Sequence, residues 1–120
     1  MKILTVLCQK GGVGKTTFVV NLGKLLSHKG YKTLLIDTDP QGNVSTYLNF
    51  DKNSKAVLSA TDLFENRLDK EITKVSENLY LIPSNKSIIK HSSEKIIGGS
   101  KLFKHKNFLI EKDFDLVLID

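Results

Sequence analysis

Residues 9–17 read Gln-Lys-Gly-Gly-Val-Gly-Lys-Thr-Thr (QKGGVGKTT) and separate two patterns of opposite kind. Before them runs Ile3 to Cys8 (ILTVLC), a short continuous apolar stretch that suits a strand buried on both faces of a parallel sheet. After them Phe18, Val19, Leu22, Leu25 and Leu26 recur at helical spacing as far as Gly30, a residue able to end a helix in the left-handed conformation. Strand, glycine-rich turn and helix together form a cradle for an anion. The glycines let the backbone curl so that successive N–H groups point inward, and the helix dipole beginning near Gly14 favours the same negative charge. Gly11, Gly12, Val13 and Gly14 therefore line a phosphate site. Lys15 supplies a positive charge to the β and γ phosphates of a nucleotide such as ATP, Thr16 offers a hydroxyl oxygen to Mg²⁺, and Thr17 reaches the α phosphate.

Working outward, Thr33 to Ile36 repeats the buried-strand pattern and runs into Asp37, Asp39 and Pro40. Because side chains on a strand alternate with period two, Asp37 and Asp39 are expected to point the same way, toward the sheet edge where ligands of open α/β folds bind. Acids there hold a metal through water or orient an attacking water. The competing reading is that they cap the turn before Pro40, which an isolated D-x-D-P would favour; beside this phosphate loop the functional reading takes precedence. Leu116 to Ile119 (LVLI) is another buried strand, and Asp120 at its end fits an acid that holds Mg²⁺ through water.

Between these landmarks Gln41 to Ala60 is polar and turn-rich. Thr61 to Leu68 reads as a short helix with Thr61 or Asp62 as N-cap, and Leu79 to Ile82 as a strand before Pro83. Ser84 is expected to cap a weakly amphipathic helix through Ile88, Ile89 and Ile96, broken at Gly98 to Ser100; another helical stretch covers Leu102 to Ile110. Strands alternating with helices define an α/β class with a mainly parallel sheet flanked by helices and right-handed crossovers. No repeat or linker divides the chain, so residues 1–120 are read as one unit. A buried-type strand at the terminus leads to the expectation that further elements complete the sheet.

The chain has 120 residues, 40% hydrophobic and 26% charged, in the range of globular proteins. It contains no apolar run near the roughly 18 residues of a membrane span, and its start lacks a signal-peptide layout, so a cytoplasmic location is expected. Cys8 is the single cysteine, which excludes an internal disulfide and a cysteine-based metal site and leaves it a small core residue. The formal charge is +5. Lys86, Lys90, Lys95, Lys101, Lys104, Lys106 and Lys112, set against Glu94 and Glu111, account for all of that excess between Ser84 and Lys112. Without interleaved arginines, a solvated face is favoured there over a nucleic-acid surface.

The common phosphate-loop pattern G-x-x-x-x-G-K-[ST] would place its first glycine at Gln9. Lys10 to Thr16 instead resembles the deviant Walker A motif K-G-G-x-G-K-[ST] shared by ParA, MinD, the nitrogenase iron protein and the arsenical-pump ATPases. Leu34 to Asn43 (LLIDTDPQGN) resembles switch I of ParA proteins, Asp39 to Asn43 favours the ParA branch over MinD, and Leu116 to Asp120 resembles a Walker B strand. The resemblance implies the amino-terminal part of a single P-loop ATPase domain of the ParA/Soj type. It implies that Lys10 reaches across a dimer interface to the partner's phosphates, that Asp39 positions the attacking water, and that Asp37 sits nearer the metal. Lys10, Lys15 and Asp39 are then the catalytic set, and Thr16, Asp37, Asp39 and Asp120 the metal set. Also implied are an ATP-dependent homodimer, binding to DNA without sequence preference, hence nucleoid association, stimulation by a ParB-type centromere-binding protein, and segregation of a plasmid or chromosome. Two alternatives stand beside it: a MinD-like membrane-associated positioning ATPase, which would need a carboxy-terminal amphipathic helix that these residues cannot show, and an inactive truncated remnant of a ParA protein.

Overall fold

The computed structural model describes residues 1–5, 13–48, 50, 57–88 and 105–120. Along the chain run β1 (Lys2–Thr5), α1 (Val13–His28), β2 (Thr33–Ile36), α2 (Asn43–Tyr47), α3 (Ala60–Phe64), β3 (Thr73–Ser76), β4 (Leu79–Ile82), α4 (Lys106–Glu111) and β5 (Leu116–Ile119). The strands form one sheet in the order β1-β5-β2-β4-β3. The first four are parallel to their neighbours, and β3 joins β4 antiparallel, so the expected α/β class with a mainly parallel sheet is what the protein adopts.

Period-two alternation splits the apolar strand residues between two cores. Leu34, Ile36, Ile82, Val117 and Ile119 pack on one side with Leu58, Leu63, Phe64, Leu109 and Phe114. Leu35, Leu79, Leu81 and Leu118 pack on the other, under Val19 and Val20 of α1 and Val44 of α2. β2 and β5 are thus covered on both faces, which is why they read as unbroken apolar runs. Close packing also explains a glycine inside α1. A Cβ on Gly23 would stand 2.8 Å from Leu35 Cδ2, so the helix can lie this near the sheet only without a side chain there.

Helix α1 ends as expected at Gly30, whose φ is +95°. Tyr31 N donates to Leu26 O and Gly30 N to Ser27 O, the paired bonds of a Schellman ending. Elsewhere the expectations need correction. The N-cap of α3 is Ser59, not Thr61 or Asp62: Ser59 Oγ accepts from Asp62 N while the Asp62 carboxylate accepts from Ser59 N, a reciprocal capping box. α3 stops at Phe64 rather than reaching Leu68. The polar stretch after Pro40 contains α2, and β3 was hidden because its residues alternate between half-buried and exposed with no strong apolar signal. After Ser84 only a short 3₁₀ turn over 86–88 is described. The rest of the expected helix through Ile89 and Ile96, its break at Gly98 to Ser100, and Leu102 to Lys104 lie outside the described residues, as do Val6 to Gly12 with Cys8.

The far end of the sheet is closed by aromatic contacts. The Lys32 ammonium lies over the rings of Tyr80 and Phe114, at 5.3 and 4.9 Å from their centroids, and the two rings meet edge to face. Lys32 Nζ also donates to the Lys112 carbonyl, tying the β2 entry to the end of α4. His105 is buried at the start of α4, and its Nε2 is 2.8 Å from Leu63 O, which links α4 to α3.

Candidate functional site

The carboxyl ends of β2 and β5 lie side by side, in register through Leu35 and Leu118 and through Ile36 and Ile119. One residue further on, the backbones remain paired: Asp120 N donates to Ile36 O and Thr38 N to Asp120 O, both at 2.9 Å. The Thr38 hydroxyl donates to the same carbonyl at 2.6 Å. Asp37 and Asp120 share the parity of Leu35 and Leu118, so their side chains continue the column that faces α1. Two acids are thereby brought together on the α1 side of the sheet.

Lys15, in the first turn of α1, answers them. Its ammonium is 2.9 Å from Asp120 Oδ1, with the lysine side chain 16% exposed and the carboxylate fully buried. A buried carboxylate without a counter-charge would be strongly disfavoured, and Lys15 supplies that counter-charge. Asp120 Oδ2 and the buried Thr16 Oγ1 have no hydrogen-bond partner among the described residues. Among the described residues, nothing lies within 4 Å of where a Cβ on Gly14 would be. Two unpartnered buried oxygens and a cation at the helix start form a coherent set. The oxygens are hard donors of the kind Mg²⁺ takes, and the cation suits a phosphate chain.

Asp37 is fully buried and differs from Asp120 in its partners. Asp39 N donates to Oδ1 at 3.1 Å, and Ser45 donates to Oδ2 through its N–H at 3.3 Å and its hydroxyl at 3.2 Å. Burial pushes the Asp37 pKa up to about 6; the nearby Asp120 charge adds to the rise, and the bonds from Asp39 and Ser45 work against it.

Asp39 stands beyond the end of β2, in the turn closed by Gly42 N donating to its carbonyl at 2.8 Å. Its Oδ1 accepts from Gln41 N at 2.9 Å and its Oδ2 stands 3.5 Å from Asn43 Nδ2, so the carboxylate shapes the turn into α2. Of the expected site residues, Lys15, Thr16, Asp37 and Asp120 are gathered at one edge, with Gly14 at the helix start. Thr17 is half-buried on α1. Lys10, Gly11 and Gly12 lie outside the described residues, as does the Val13 side chain. Among the described residues no three His, Cys, Asp or Glu side chains come together as a metal cluster, so these acids would not enclose a metal by themselves. Ser45 was not anticipated. It lies eight positions from Asp37 in a polar stretch, and no local spacing rule connects the two.

Comparison with known proteins places this geometry. A family model described as an AAA domain matches residues 1–120. The chromosome-partitioning ATPase Soj of Treponema pallidum is 37% identical over 99% of this chain and 47% of its own length. A plasmid partition protein from Borrelia burgdorferi superposes with a TM-score of 0.76 at 32% identity, over 99% of this chain and 55% of that one. Cobyrinic acid a,c-diamide synthase from Mycobacterium smegmatis, crystallised with an ATP analogue and magnesium, superposes with a TM-score of 0.81 at 29% identity, over 100% of this chain and 50% of that one. The chain thus spans about half the length of the relatives it matches. With a deviant phosphate-loop sequence ahead of α1, acids at the ends of β2 and β5 and a family match along its whole length, this chain belongs to the AAA domain family, in the ParA/Soj-type branch of P-loop ATPases.

Proposed function

We propose that this chain forms the nucleotide-binding part of a ParA/Soj-type partition ATPase that binds Mg-ATP between the α1 start and the ends of β2 and β5. The observation that carries the reading is the Lys15–Asp120 ion pair at 2.9 Å, beside the unpartnered Thr16 hydroxyl. It holds ready a cation suited to β and γ phosphates and an acid suited to a hydrated metal, each neutralising the other until a ligand separates them. Bound Mg²⁺ supplies charge neutralisation of the phosphate oxygens, and the cobyrinic acid a,c-diamide synthase described with an ATP analogue and magnesium supports that cofactor pair. Thr16 and Asp120 hold the metal side, with Asp37 behind them; Gly11 to Thr17 cradle the phosphates; Asp39 positions the water that attacks the γ phosphate.

In this reading Lys10 contacts the partner's phosphates, so ATP stabilises a dimer over the monomer and shifts the population toward it. The dimer binds DNA without sequence preference, associates with the nucleoid, is stimulated by a ParB-type centromere-binding partner, and moves a plasmid or chromosome through repeated binding and release. None of the described helices is long and apolar enough to cross a membrane. The test is a melting curve with and without millimolar Mg-ATP: the chain should melt higher with the nucleotide, and Lys15→Ala should lose the shift. Lys10→Ala should keep the shift and lose ATP-dependent dimers in light scattering. A chain whose melting ignores Mg-ATP would overturn the proposal.

A further inference from the structure

Helix α2 is short, and its N-cap is Gly42, held at φ 63° with no side chain to cap the helix. The missing acceptor comes from another element. Asp37, at the end of β2, receives the N–H and the hydroxyl of Ser45 on one oxygen, Oδ2, while Oδ1 receives Asp39 N. Ser45 is itself fully buried, so both of its donors are committed to this carboxylate in a place where water does not compete. On its other side α2 is fastened to α1: Val44 lies in the core with Val19 and Val20, and the Tyr47 ring faces the Lys24 ammonium at 5.9 Å. Asp37 stands beside Asp120 at paired strand ends. A pull on Asp37 is therefore transmitted to α2 through Ser45.

We infer that Ser45 is a positioning residue: it aims the Asp37 carboxylate at the metal side of the site and makes α2 the element that responds when that carboxylate is engaged. This rests on the Mg-ATP reading. The two donors leave Asp37 one geometry, and a carboxylate fixed in advance binds a hydrated metal better than one that must be ordered on binding. The hydroxyl matters because the N–H alone holds Oδ2 from only one direction.

The experiment uses Mn²⁺ as probe, followed by paramagnetic resonance in the presence of ATP, for the wild type, Ser45→Ala and Ser45→Thr. Ser45→Ala should weaken Mn²⁺ binding about tenfold with metal-free ATP affinity unchanged, and Ser45→Thr should restore it to within about twofold. Amide exchange over 43–47 should rise in Ser45→Ala and slow on adding Mn-ATP to the wild type. Equal Mn²⁺ affinity in Ser45→Ala and wild type would overturn the inference, as would equal loss in the Ala and Thr variants. A wild type that binds neither ATP nor Mn-ATP would overturn the proposed function, and this inference with it. If Ser45→Ala does not fold, Ser45→Cys keeps the volume with a weak donor and is judged by the same outcomes.

Discussion

Two buried aspartates in this protein are held by a serine in nearly the same way and behave oppositely. Asp37 accepts from the N–H and hydroxyl of Ser45; Asp62 accepts from the N–H and hydroxyl of Ser59. Burial raises the pKa of both. At Asp37 it wins, helped by Asp120, and the value goes up to about 6. At Asp62 burial is outweighed by the two Ser59 bonds and by Lys70, and the pKa falls below the ordinary range. Arg67 adds a further ion pair to Asp62 at 3.2 Å. The same pair of serine bonds with opposite surrounding charge distinguishes the two acids: Asp62 is compensated by Lys70 and Arg67, whereas Asp37 stands beside another acid.

The largest test of that contrast is Asp62→Ala. It strands the Ser59 donors and two cations and removes a cap, so it should cost roughly 3 kcal/mol in denaturant unfolding at pH 7. Asp37→Asn should act in the other direction. An unfolded aspartate releases its proton near 3.8, whereas folded Asp37 keeps its proton up to about 6, so between these values the native state binds more protons and stability falls as pH rises. Below the lower value this cost is absent, and above the upper one it is complete. With the Asp39 N–H bond lost, the Asn variant should gain about 2 kcal/mol at pH 8 in the metal-free protein and show a flatter pH profile between 4 and 6. Asp62 gives the converse profile: its contribution is present at neutral pH and is lost as pH falls through its lowered pKa. Next in size is Ser59→Ala, which should cost about 1 kcal/mol as a lost helix cap. The smallest effect is on a titration: Asp120→Asn should move the Asp37 carboxyl pKa downward from about 6, read by carbon NMR, because one like charge is gone. A pKa unmoved by Asp120→Asn, or a destabilising Asp37→Asn at pH 8, would break the contrast.

Local sequence determined a good deal. β2, β4 and β5 were legible because strands covered on both faces are unbroken apolar runs, and Gly30 was legible because a helix ending there needs a positive φ. Lys15, Thr16, Asp37 and Asp120 were nominated by motifs that encode backbone geometry near a phosphate. What only the tertiary structure decided was who touches whom across distance. The Lys15–Asp120 pair joins residues more than a hundred positions apart, and Ser45 meets Asp37 only because Gly42 turns the chain back over the end of β2. The Asp39 carboxylate, beyond the end of β2, meets Gln41 and Asn43 in the turn toward α2. Propensity and periodicity act over a turn or a strand, whereas the pairing of buried charges depends on strand register and on which helix covers which edge, and these emerge only when the sheet assembles.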